Sequence, residues 1–312
     1  MAKSRRNSGS DDGPRGRVVG FDLIRLIAVA LVTMQHALTL TDHDSWTTMG
    51  PINVGQLGVS LFLGVSGYLS MTSSKAPVAW LIERGRRLYP PYVVVMCASF
   101  GLTWASGYKA FGPGQVVSQM LMLGLFTHPG NLVNIPTWFM SLLVVGYLAI
   151  FLVKLSGRSA VAIWVAVGLV LGLNAYAGQH WPWFELSTFF LAAGLATVRV
   201  RQSWVTCLSA ALFLVLARGS TPLVYTGVVL ALIPIASLVK RLPAVLSLST
   251  QYAYEYYLIH GIMLVGFLII LRAHPMPGVL LAVVSAAGLA VLLRTATERV
   301  FAQERGIPAS VS

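Results

Sequence analysis

Three ionisable residues stand in the first apolar run of the chain, GFDLIRLIAVALVTMQHALTL, where charge is costly and usually has a task. His36 follows Arg25 by eleven residues. At about 100° per residue that spacing returns to within roughly 20° of one direction, about 16 Å further along a helix. Asp22 belongs to the same face. An imidazole titrates near neutrality and exchanges protons with a hydroxyl, so His36 is the candidate acid or base. The face reads in two ways: an inward polar stripe running through the membrane, or an Asp22–Arg25 pair at the headgroup boundary with His36 bonded to a backbone carbonyl. Further along, Arg84, Arg86 and Arg87 precede Pro90 and Pro91, which can open a helix. His260 ends the run Tyr252, Tyr254, Glu255, Tyr256, Tyr257, whose aromatics either line a polar route or form an interface belt. Glu185 is a further intramembrane carboxylate, near the outer face. His128, His180 and His274 fall in or near outer loops and form no pattern. Cys97 and Cys207 lack a CxxC spacing or a neighbouring histidine, so they read as packing residues, and no metal site is suggested.

The elements that position these residues follow from composition. Of 312 residues 56% are hydrophobic and only 10% charged, and the mean hydropathy is +0.74, which excludes an ordinary water-soluble enzyme. The net charge of +12 would suit nucleic acid only if the cations gathered on one exposed face. Here they punctuate apolar runs, and nucleic-acid binding is excluded. A span needs about 20 apolar residues. On that measure spans fall near 18–40, 51–72, 88–107, 136–154, 159–177, 183–198, 203–217, 221–239, 249–271 and 278–296, ten in all. The segment 113–127 is too short to cross and reads as re-entrant or interfacial. This arrangement places eighteen Lys and Arg in loops on one side and only Lys109, Arg218 and Arg272 on the other. Such a bias marks the first side, with both termini, as cytoplasmic. The expectation is an all-α multi-pass protein of the cytoplasmic membrane. A disordered basic tail (1–17) precedes a transmembrane domain (18–300) and a short tail (301–312).

Four segments, in order, resemble membrane-bound acyltransferase family 3. FDLIR with His36 resembles its Arg-x10-His signature, GVSLFLGVSGYLS (58–70) its Ser-Gly element, RGRRLYPPY (84–92) its Arg-x-x-Arg-x-x-Pro-x-Tyr element, and YAYEYYLIHGIML (252–264) its Tyr-Leu-x-His element. PTWFMSLLVVGYL (136–148) is similar to its Trp-led fifth helix, with one departure. Many members carry a Glu shortly after the Trp, where this chain has Leu142, Leu143, Val144 and Val145.

The resemblance implies an O-acyltransferase that moves an acyl group, acetyl above all, from cytoplasmic acyl-CoA to a hydroxyl on a glycan or lipid-linked acceptor, as in polysaccharide O-acetylation. Under that reading His36 is catalytic, as base or acyl carrier, with Asp22 beside it. Arg25, Arg84, Arg86 and Arg87 meet the donor's phosphates, although topology alone also calls for cations there. Ser66, Trp138, Tyr257 and His260 meet the acceptor or are structural, and Gly67 packs. Acyl-CoA is the donor and no metal is needed. Membrane lipids surround the protein, and either the acceptor reaches the site directly or a separate extracytoplasmic protein completes the transfer. The rival reading is a transporter or channel that conducts through the Asp/Arg/His stripe.

Overall fold

The computed structural model describes residues 19–50, 52–157, 159–176, 183–198, 203–216 and 221–304. The tail 1–17, Arg158, His180, Arg199, Arg201, Arg218 and the last residues of the C-terminal tail, Arg305 among them, lie outside the described residues.

Each expected span has a helix. They are α1 (Val19–Leu40), α2 (Val54–Thr72), α3 (Pro77–Ser106), α6 (Trp138–Leu155), α7 (Ser159–Tyr176), α8 (Trp183–Thr197), α9 (Ser203–Leu216), α10 (Thr221–Leu238), α12 (Ala253–Leu264) and α13 (Pro275–Glu304). Among the described residues six helical stretches are long and apolar enough to cross a membrane, and four shorter apolar helices accompany them. The protein is an all-α multi-pass membrane protein. Its described strands are two short ones, Thr48–Met49 and Ile52–Asn53, paired antiparallel before α2.

A further short helix, α11 (Ala244–Gln251), precedes α12. The segment 113–127 forms α4 (Pro113–Met120) and α5 (Gly124–Thr127). At about 1.5 Å per residue neither approaches the roughly 30 Å of hydrocarbon. Buried Gln119 holds the segment in place: its side chain accepts from the Val133 amide at 3.0 Å, and its carbonyl accepts from the Tyr92 hydroxyl at 2.5 Å. Just before it, Lys109 donates to the Leu132 carbonyl at 3.1 Å, and partial burial lowers its pKa.

Three expectations are corrected. The third helix begins at Pro77 rather than near 88 and runs through Pro90 and Pro91, which do not open it. Pro77 is the residue at the helix start. Pro90 and Pro91 lack N–H groups, so the carbonyls of Arg86 and Arg87 lose their helical donors. The arginines therefore lie on a helix, not on a loop. Cys97 and Cys207 are exposed on the outside of the bundle and are not core residues. The last helix runs from Pro275 to Glu304, well past both ends of the expected span 278–296.

The core gathers on α2, whose small residues let neighbouring backbones approach as membrane helices commonly do. A Cβ on Gly67 would stand 2.1 Å from the Phe189 carbonyl oxygen of α8, and one on Gly64 would stand 2.1 Å from Val229 of α10. Only glycine allows the first contact, because a backbone atom cannot swing aside.

Candidate active site

One helix face carries the first part of the site, as the spacing of Asp22, Arg25 and His36 requires. Asp22 is buried in the first turn of α1 and pairs with Arg25 at 3.2 Å. The Arg25 side chain, 21% exposed, also reaches a small cavity of 70 Å³. Arg84 and Arg87 of α3, Ser66 of α2, Tyr147 of α6, and Tyr254 and Tyr257 of α12 share its lining.

Arg84 and Arg87 are three residues apart and so share a helix face, whereas Arg86 lies about 200° from Arg84. Accordingly Arg86 does not line the cavity, whereas Arg87, although exposed as well, does. The Arg84 guanidinium lies 5.6 Å from the centre of the Tyr147 ring, and Tyr147 meets Trp80 edge-on at 5.6 Å. Lys154 in turn lies 5.7 Å from the Trp80 ring and donates to the Ser73 carbonyl at 2.8 Å. Cation–π contacts of this kind contribute about 0.5–2 kcal/mol each. They pin the arginine-bearing half of α3 to α6. On the other side, the Tyr254 hydroxyl donates to the Leu88 carbonyl at 2.8 Å. Glu255, its neighbour, is buried and pairs with Arg294 of α13 at 3.4 Å.

At the far end of the α1 face the His36 ring meets His260, with centroids 5.5 Å apart and planes tilted by 35°. His260 is 1% exposed. Its Nδ1 lies 2.7 Å from the Tyr257 carbonyl, an acceptor, so Nδ1 carries the proton and Nε2 keeps a lone pair. Nε2 is buried without a hydrogen-bond partner, at a cost of about 1–3 kcal/mol. Around it, Tyr256 stacks on the ring at 6.1 Å, and Tyr257 donates to the Pro136 carbonyl at 2.8 Å. Asn134 donates to the Leu258 carbonyl at 2.8 Å. A Cβ on Gly261 would stand 2.5 Å from Pro136, so glycine is what seats this loop beside His260. Trp138 is half-buried at the start of α6 and packs on the core. Glu185 is fully buried and accepts from Ser60 of α2 at 2.5 Å.

Two apolar crevices, of 420 and 690 Å³, run along α1 beside α13, and Tyr256 lines both. No cluster of His, Cys, Asp or Glu able to hold a metal occurs among the described residues.

A family model described as an acyltransferase domain matches residues 18–295. The chain belongs to acyltransferase family 3. No curated protein and no solved structure matches it. The matched stretch of this acyltransferase contains the helices that carry the site, α1, α2, α3, α6 and α12.

The acyltransferase thus brings Arg25, Arg84, Arg87, Ser66 and Tyr257 into one cavity and His36 against His260, while Arg86 and Trp138 do not line that cavity. Sequence reasoning passed over Tyr147, although a hydroxyl in the otherwise apolar run LLVVGYL was a usable signal. It also passed over Ser60, Asn134 and Arg294. Their partners lie 125, 124 and 39 residues away, and no local pattern marks them.

Proposed function

We propose that this acyltransferase moves an acyl group, acetyl above all, from acyl-CoA on the cytoplasmic side to a hydroxyl of a glycan or lipid-linked acceptor. The observation that carries the reading is the joining, by one face of α1, of the arginine cavity to the histidine pair about 16 Å away. Three guanidiniums on one cavity, with Asp22 bonded to one of them, make an anion site, and their planar forks suit phosphate oxygens. A thioester on a long thin arm then reaches toward His36. At 70 Å³ the cavity is far smaller than the roughly 300 Å³ of common ligand pockets, so donor binding has to widen it. The backbone bonds missing at Pro90 and Pro91 make α3 easiest to bend just beyond the arginines.

In the reaction His36 takes the acceptor hydroxyl proton as its oxygen bonds to the thioester carbonyl carbon. The carbon–sulfur bond then breaks, and the departing thiolate receives that proton from the imidazolium. The apolar crevices beside Tyr256 favour an acceptor whose lipid tail stays in the bilayer. No observation favours transport. The test is to supply purified protein with [14C]acetyl-CoA and membranes from cells that lack it. Label should enter alkali-labile ester as CoA is released. Label that stays in acetyl-CoA would refute the reading.

A further inference from the structure

We propose that His260 is a positioning residue for His36: its Nε2 lone pair receives the N–H of His36, which leaves the other His36 nitrogen unprotonated and free to act as the base. The inference rests on the acyl-transfer reading above and extends it to a second histidine.

Four observations converge. The Nδ1–H of His260 is committed to the Tyr257 carbonyl at 2.7 Å, which decides the tautomer and leaves Nε2 as an acceptor. That Nε2 is buried and has no partner, a condition that native interiors rarely leave without a purpose. The nearest imidazole is His36, 5.5 Å away between ring centres, so rotation of one side chain brings its N–H to the lone pair. Hydrogen bonds between catalytic groups are often long without substrate and tighten in the reacting complex. Finally, His260 itself cannot drift. Tyr256 is stacked on one face with planes 7° apart, Tyr257 meets it at 5.5 Å, and the Gly261 contact seats the Pro136 loop behind it.

The chemistry balances without a second proton transfer. His36 gains the proton of the acceptor hydroxyl as the new carbon–oxygen bond forms and returns it to the thiolate as the carbon–sulfur bond breaks. His260 stays neutral throughout and accepts one hydrogen bond, which strengthens while His36 is positive. The pair works as base and orienter, the arrangement that activates nucleophiles in unrelated enzymes.

Two substitutions separate this role from a structural one. His260→Asn places an amide donor where Nδ1–H was and keeps the bond to the Tyr257 carbonyl, but it removes the lone pair at Nε2. His260→Gln places an acceptor oxygen where Nε2 was. Each purified variant is given [14C]acetyl-CoA and membranes from cells lacking the protein, with rates divided by the amount of folded protein from size-exclusion chromatography. The proposal expects His260→Asn to lose about 10²-fold in kcat with the KM for acetyl-CoA unchanged, and His260→Gln to recover at least about tenfold of that loss. A structural role predicts the reverse order. Transfer by His260→Asn near the wild-type rate, or His260→Gln no better than His260→Asn, overturns the positioning role while wild-type transfer upholds the acyl-transfer reading. A wild-type protein that moves no label overturns both.

Discussion

Gly67→Ala tests how closely the donor cavity depends on the packing beneath it. The new Cβ would lie 2.1 Å from the Phe189 carbonyl oxygen, whereas ordinary contact starts at 3.4 Å, so α2 and α8 must part by about 1.3 Å. Neither helix yields easily. Phe189 is fully buried against Tyr147 and Phe190, and Gly64, one turn away on α2, is already against Val229. Overpacking of this kind costs about 1–3 kcal/mol. At about 2–4 °C per kcal/mol for a chain of this size, the thermal midpoint in detergent should fall by roughly 2–12 °C. The same movement displaces Ser66, which lines the cavity, and strains the Ser60–Glu185 bond. Scanning fluorimetry reads the midpoint, and calorimetric titration with acetyl-CoA should show weaker binding. Gly101→Ala is the control, because nothing lies within 4 Å of its Cβ position, and its midpoint should hold or rise. A wild-type midpoint for Gly67→Ala would refute the close-approach argument.

Arg84→Gln and Arg87→Gln should each weaken acetyl-CoA binding, with the corresponding lysine variants recovering only part of it, whereas Arg86→Gln should bind like the wild type; equal losses at all three positions would mean that general charge, not the cavity, attracts the donor. His36→Gln keeps side-chain volume but not proton exchange, so acyl transfer should drop about 10²- to 10⁴-fold while acetyl-CoA still binds, and a near-normal rate would remove His36 as the base. Cysteine at Asn131, half-buried in the loop before α6, should react with an impermeant thiol reagent on intact cells, and labelling only after lysis would reverse the proposed orientation.

Much of this protein is legible in order along the chain. Apolar runs of span length announce the helices, because the bilayer core leaves backbone polar groups no partner but their own helix. The eleven-residue spacing puts Arg25 and His36 on one face, because the helical period is a property of the backbone. On that face Asp22 pairs with Arg25, and Arg25 also faces the cavity. Tertiary structure decided the rest. Which arginines face the cavity depended on α3 beginning at Pro77 and passing through Pro90 and Pro91, and packing on α6 and α12 tolerates two missing backbone bonds that local rules count against a helix. That His36 meets His260, 224 residues later, follows from α1 lying against α12. The carboxylate of Glu185 is buried against Ser60 only because α2 and α8 close on Gly67. Contacts between distant segments depend on the shapes of whole helices, so the sequence by itself named the reactive side chains and their faces, and only the packed bundle decided which of them meet.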